Sequence, residues 1–136
     1  MGSNPIHRAN FMLSLVLKGT TGELPTSEYE LLDDDQKVGF IQIRHRPSGA
    51  KEVPPNMASH IYYEIYPPYR GKGYGKQILK LGLNEARKIG LKEVLLTCYE
   101  ENVASKKIIE ANGGTLVESM IIPATHKKFL KYKIVI

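Results

Sequence analysis

The sequence predicts a single α+β domain (α/β in the broad sense) over residues 1–136, and three observations carry that reading. Strand-like apolar patterning fills much of the stretch up to residue 66, two helix-period segments follow, and strands separate and then close them in the order β-α-β-α-β-β. At 136 residues and 42% hydrophobic content, the chain is long and apolar enough for one packed core. No apolar run approaches the roughly 18 residues that cross a bilayer. Phe11–Leu17 is too short for that and lacks a signal-peptide cleavage pattern, so a cytoplasmic protein with no membrane association is expected.

Each element has a local cause. Ala9–Lys18 is apolar, but too short for periodicity to separate helix from strand, and the turn residues of Gly19–Pro25 break it. Glu28–Asp33 and Val38–His45 read as strands around the acidic turn Asp33-Asp34-Asp35, with Val38, Phe40, Ile41 and Ile43 as apolar positions. Pro47–Asn56 reads as a proline-rich loop. His60–Tyr66 is a strand ended by Pro67-Pro68, because proline has no N–H to give to a ladder.

A glycine-spaced turn, Arg70–Gly75, leads into a helix from about Tyr74 to Lys88. Its apolar face is Ile78, Leu79, Leu81, Leu83, Ala86 and Ile89, and Gly90 is placed to end it. Glu93–Cys98 is an apolar strand. Asn102–Ala111 is a second helix, with Asn102 as its N-cap and Asn112-Gly113-Gly114 as its stop. Thr115–Ile122 and Lys128–Ile136 close the domain, the last alternating at Phe129 or Leu130, Tyr132 and Ile134.

Charge is distributed unevenly. The net +5 divides into −2 over residues 1–68 and +7 over residues 69–136, so an anionic partner is expected at the second half. The single cysteine, Cys98, excludes an intramolecular disulfide framework, and His7, His45, His60 and His126 lack metal-ligand spacing, so no metal is expected. Nucleic acid ranks low as the anion, since no reader motif accompanies the basic half.

The anion has a natural seat in Ile65-Tyr66-Pro67-Pro68-Tyr69-Arg70-Gly71-Lys72-Gly73-Tyr74-Gly75-Lys76. A strand passing through alternate glycines into a helix leaves several backbone N–H groups aimed at one spot, at the positive end of the helix dipole. Glycine permits positive φ and lets the backbone approach an anion closely. A dinucleotide fingerprint starting at Gly71 would need glycine where Lys76 stands, and a Walker loop fails because Gln77 follows Gly75-Lys76. What fits is R-x-x-G-x-G, at Arg70, Gly73 and Gly75; the plain alternative is a tight turn with solvated lysines.

Further blocks accompany that turn: Ile43-Arg44-His45-Arg46, His60-Ile61-x-Tyr63, Thr97-Cys98, and Glu101-Asn102-Val103-Ala104-Ser105 leading to Asn112-Gly113-Gly114. Together, over roughly Val38 to Glu118, they resemble the GNAT superfamily of N-acetyltransferases, and within it a group of predicted bacterial acetyltransferases. The resemblance implies a mixed, mainly antiparallel sheet with splayed central strands and flanking helices. It implies that the turn matching Arg70, Gly71, Lys72, Gly73, Tyr74, Gly75 and Lys76 wraps the pyrophosphate of acetyl-CoA, while Tyr63, Ile65 and Pro67 line the thioester end. The Ile65 N–H would then polarise the thioester carbonyl, and Asn102 would bond the pantetheine arm or simply cap its helix. Lys106 and Lys107 either reach the adenosine phosphates or are solvated.

The implied reaction is direct attack of an amine on the thioester, which needs a proton acceptor and a stabilised leaving thiolate. Glu64 and His60, of equal parity on one strand, are the candidate bases. Many members of the superfamily place a donor tyrosine seven residues after the asparagine; here that position is Ile109, leaving Ser105, Tyr99 and Tyr132 as substitutes by residue type alone. Cys98 reads as a core residue rather than a nucleophile. Only 37 residues precede Val38, where the superfamily usually places a strand and two helices, so that front is expected to be either compressed or in part missing, with an open or partner-completed acceptor site. The acceptor is an unidentified amine, and the resemblance makes a homodimer a common arrangement. The competing reading is a CoA-binding domain with weak or no transfer activity.

Overall fold

The computed structural model describes residues 13–21, 25–49 and 53–136. The chain forms β1 (Leu13–Thr21), β2 (Thr26–Asp33), β3 (Gln36–Ser48), β4 (Ser59–Ile65), α1 (Tyr74–Ile89), β5 (Glu93–Tyr99), α2 (Val103–Ala111), β6 (Thr115–Ile122) and β7 (Lys127–Val135). Single 3-10 turns at Pro55–Met57 and Pro67–Tyr69 precede β4 and the glycine turn. The strands make two antiparallel sheets, β1-β2-β3-β4 and β5-β7-β6.

The ambiguous first segment is a strand. Leu13 and Leu15 pack against the core while Val16 and Leu17 remain exposed, and residues 9–12 lie outside the described ones. Only residues 22–25 separate β1 from β2, and the two strands pair directly.

The strand expected over 38–45 runs from Gln36 to Ser48, so the proline-rich loop begins later than its composition suggests. The β3–β4 register jumps between Ile43 and Ser48, and Pro47 sits inside that interruption, where no ladder donor is needed.

One core lies between the helices and the helix-facing side of both sheets. It gathers Tyr29, Leu31, Ile41, Ile43, Ile61 and Ile65 from the first sheet, Val94, Leu96, Cys98, Leu130, Tyr132 and Ile134 from the second, and Ile78, Leu79, Leu83, Ala86 and Ile109 from the helices. Each fully buried aliphatic side chain contributes about 1.5–3 kcal/mol. Gly82 lets α1 lie close on β3, since a Cβ there would stand 2.5 Å from the Ile41 Cδ1 atom. A smaller cluster of Met57, Ile122 and Phe129 packs the segment before β4 onto the opposite side of the second sheet. No helix among the described residues is long and apolar enough to cross a membrane.

Candidate active site

β4 and β5, joined in sequence by α1, belong to different sheets, and no ladder connects them. One bond bridges them: the Leu95 backbone N–H donates to His60 Nδ1 at 2.9 Å. His60 is the second residue of β4 and Leu95 the third of β5, so the strands start side by side. Accepting at Nδ1 requires that nitrogen to be unprotonated, which places the ring proton on Nε2. Burial pushes the His60 pKa down; Glu93 opposes this and Arg44 reinforces it.

The ladder direction of β4 settles what lines the gap. Tyr66 N–H donates to Val38 O at 2.9 Å, and the register sets Glu64 opposite Phe40 and Tyr62 opposite Gln42. In an antiparallel pair alternate residues exchange bonds with the partner, so residues of Tyr66's parity face β3 and the amides of Tyr63 and Ile65 point away from it. The Ile65 carbonyl, turned the same way, accepts from Arg70 Nε at 2.8 Å. An extended guest would find backbone donors at two-residue spacing along this edge.

The glycine turn sits at the end of β4. Arg70 N–H closes the 3-10 turn onto Pro67 O at 3.2 Å, and Gly71 and Gly73 then take φ of 76° and 87°. Gly73 is the N-cap of α1 without a side-chain cap, and Gln77 N–H reaches back to Gly73 O at 3.4 Å. Among the described residues no group in the chain takes up the N–H of Gly71, Lys72, Gly73, Gly75 or Lys76. The two basic side chains Lys72 and Lys76 are exposed beside them. Two contacts hold the turn: the Tyr74 hydroxyl donates to Asp33 at the end of β2, and Asn112 Nδ2 donates to Lys76 O at 3.3 Å. Gly75 has a packing cause, as a Cβ there would meet the Ile108 Cδ1 atom at 2.6 Å.

α2 follows β5 and packs beside the glycine turn, at the same open end of the gap. Asn102 Oδ1 accepts from Ser105 N–H at 3.1 Å, so the expected N-cap is present. Ser105 Oγ lies 3.3 Å from the Tyr63 hydroxyl. Burial pushes the Tyr63 phenol and the Cys98 thiol up, and the Ser105 hydroxyl partly offsets both. Ile109 is 1% exposed and packs on Gly114, so it belongs to the core. Tyr132 donates its hydroxyl to Glu110 at 3.2 Å.

Thus the helix-facing side of β4 brings Tyr63 and Ser105 together, which residue type alone did not reveal. The signal was present in the odd parity of Ile61, Tyr63 and Ile65. Glu64 lies on the opposite side, between Tyr62 and Tyr66, whose rings flank Phe40 at 5.9 and 6.3 Å. His60 and Glu64 share parity but stand about 13 Å apart along the strand, so they do not form a pair. Among the described residues no group of three or more His, Cys, Asp or Glu side chains gathers as a metal site.

Two sheets parted at one seam, with an amide-lined turn at its end, form the candidate site. Residues 18–113 match the Acetyltransferase (GNAT) family, and the chain belongs to that family. It is 32% identical over 83 residues to the uncharacterized N-acetyltransferase YycN of Bacillus subtilis, covering 60% of this chain and 50% of that protein. It is 29% identical over 92 residues to the mycothiol acetyltransferase of Geodermatophilus obscurus, covering 67% of this chain and 29% of that protein. The chain thus spans half the length of one curated relative and less of the other.

Among solved structures, mutant forms of the spermidine/spermine N-acetyltransferase SpeG from Vibrio cholerae align with TM-score 0.71 at 13% identity, over 93% of this chain and 95% of that one. A ribosomal L7/L12 alpha-N-protein acetyltransferase in complex with coenzyme A aligns with TM-score 0.65 at 19% identity, over 82% and 62%. The chain has the GNAT fold.

Proposed function

We propose that the protein transfers acetyl from acetyl-CoA to a primary amine. The observation that carries this reading is the run of unpaired amides at Gly71–Gly73 and Gly75–Lys76, at the end of a gap edged by the Tyr63 and Ile65 N–H groups. The turn amides and Lys72, Lys76 and Arg70 hold the diphosphate; Tyr74 keeps the turn on β2 through Asp33. Ile65 and Pro67 border the reacting end, and the Ile65 N–H stabilises a developing oxyanion without reorganising. Asn102 keeps its Nδ2 for the pantetheine arm while Oδ1 caps α2. Bound acetyl-CoA supplies the activated acyl group.

On the opposite side Glu64 accepts the proton of the incoming ammonium. We assign His60, its Nδ1 bonded to Leu95, the task of holding the two sheets at the closed end of the gap. On the helix side, the Tyr63 phenol stays protonated through burial and, with Ser105, is the donor for the departing thiolate that Ile109 cannot provide.

Gly73→Ala tests the turn. Alanine at this φ costs about 1–2 kcal/mol, so the Kd for acetyl-CoA should rise about tenfold by calorimetry. Gly90→Ala is the control, with φ 105° at the far end of α1 and nothing within 4 Å of its Cβ; it should lose stability but not affinity. Equal affinity in Gly73→Ala and the parent would refute the turn assignment. Tyr63→Phe should lower kcat about tenfold and move the alkaline limb of its pH profile, while leaving the Kd for CoA within about twofold. A profile superimposable on the parent would remove Tyr63 from this role. The competing reading of a CoA-binding domain without turnover predicts tight titration and no product with any amine.

A further inference from the structure

The side of the first sheet turned away from the helices carries a row that runs straight across three strands. The register sets Glu30 of β2 opposite Phe40 of β3, and Phe40 opposite Glu64 of β4. The neighbouring row is Glu28, Gln42 and Tyr62, with Gln42 Nε2 donating to Glu28 Oε1 at 2.9 Å. Tyr62, 47% exposed, and Tyr66 flank the Phe40 ring. The result is an aromatic floor with a carboxylate at each side, Glu64 beside the gap and Glu30 two strands away, about 9–10 Å across the sheet.

This face already accepts an ammonium. Lys37 Nζ stands 3.5 Å from Glu30 Oε1; the Glu30 side chain is 15% exposed and that of Lys37 is 65%. A carboxylate so far out of water is well served by a cation, and an exposed surface lysine at that distance is a loose one. The division of charge along the sequence agrees. Strands β1–β4 belong to the half with net charge −2, and the phosphate-binding turn to the half with +7.

We propose that the acceptor is a diammonium or longer polyammonium chain: one amine reacts at Glu64 while a second cation displaces Lys37 at Glu30 and Glu28, its methylenes lying on Phe40 and Tyr62. This rests on the transferase reading above. In the transfer, the amine nitrogen forms the bond to the acetyl carbon, the C–S bond breaks with its electron pair on sulfur, and the ammonium's proton passes to Glu64. Each turnover converts one ammonium and one thioester into one amide, one thiol and one released proton. Rings and carboxylates together select a flexible cation, through cation–π contact along its length and charge at its ends.

The experiment compares diaminobutane, butylamine and a serine-starting peptide with the full chain, with acetyl-CoA binding measured separately by calorimetry. The kcat/KM for diaminobutane should exceed that for butylamine at least tenfold. Glu30→Gln should cut that ratio about tenfold and Lys37→Met should raise it. Diaminobutane should also quench tyrosine fluorescence of the parent without any cosubstrate, and of Glu30→Gln less strongly. If acetyl-CoA binds but the two amines react equally, or Lys37→Met leaves the ratio unchanged, the polyammonium assignment falls while the transferase reading stands. If the peptide is the better acceptor, the acceptor is a protein N-terminus and this assignment falls too. If acetyl-CoA does not bind, both fall.

Discussion

Glu64→Gln should lower kcat/KM for the amine by about two to three orders of magnitude, the range that removing a positioned general base produces. Glutamine keeps the size of the side chain and its place between Tyr62 and Tyr66, so folding and acetyl-CoA affinity should not change. The diagnostic is the pH dependence. Without an internal base, only amine that has already lost its proton in solution can react. The logarithm of kcat/KM for the variant should therefore climb with unit slope toward the amine's own pKa, while the parent levels off earlier. A variant within tenfold of the parent, with an unaltered profile, would show that water alone deprotonates the acceptor.

His60→Ala should destabilise the protein by about 2–4 kcal/mol, because it leaves the Leu95 N–H without an acceptor and opens a void at a site only 6% exposed. His60→Gln, which can still accept, should recover part of the loss. The histidine also makes stability depend on acidity. Its native pKa lies below the usual value near 6.5, so the unfolded chain binds the proton more readily. The stabilisation is therefore complete above about pH 6.5 and is lost as pH falls through the unfolded pKa toward the native one. Urea titrations at pH 7.5 and 5.5 should show a larger drop for the parent than for His60→Gln. Equal drops would mean that His60 does not titrate with unfolding.

The order of strands and helices was legible because most segments obey local rules. Gly90 ends α1 at φ 105°, and Asn102 caps α2 through Ser105. The glycine turn was equally legible, since its backbone demand is written into Gly71 and Gly73. Features set by distant partners were not. Nothing near Pro47 announces that β3 continues through it, because the register interruption depends on β4. Parity correctly put His60 and Glu64 on one side of a strand, but it could not show that β5 would claim the His60 ring. Tyr63 meets Ser105, 42 positions further along the chain, only once the intervening segment has folded, and the Glu30–Phe40–Glu64 row exists only in the registers of three strands.

The seam between β4 and β5 has a consequence for how long the protein survives. An open strand edge is ordinarily an invitation to pair with another chain, and proteins cover or blunt such edges. Here one edge is left open inside the molecule and bridged at its narrow end by a single histidine. On the reading proposed above, the molecule that fills it is a metabolite whose concentration varies. A ligand that binds only the folded chain stabilises it in proportion to the logarithm of its excess over Kd. The empty protein would then be the form most exposed to proteases and to self-association. Its abundance would follow the supply of acetyl-CoA, making the opening a link between metabolic state and protein lifetime.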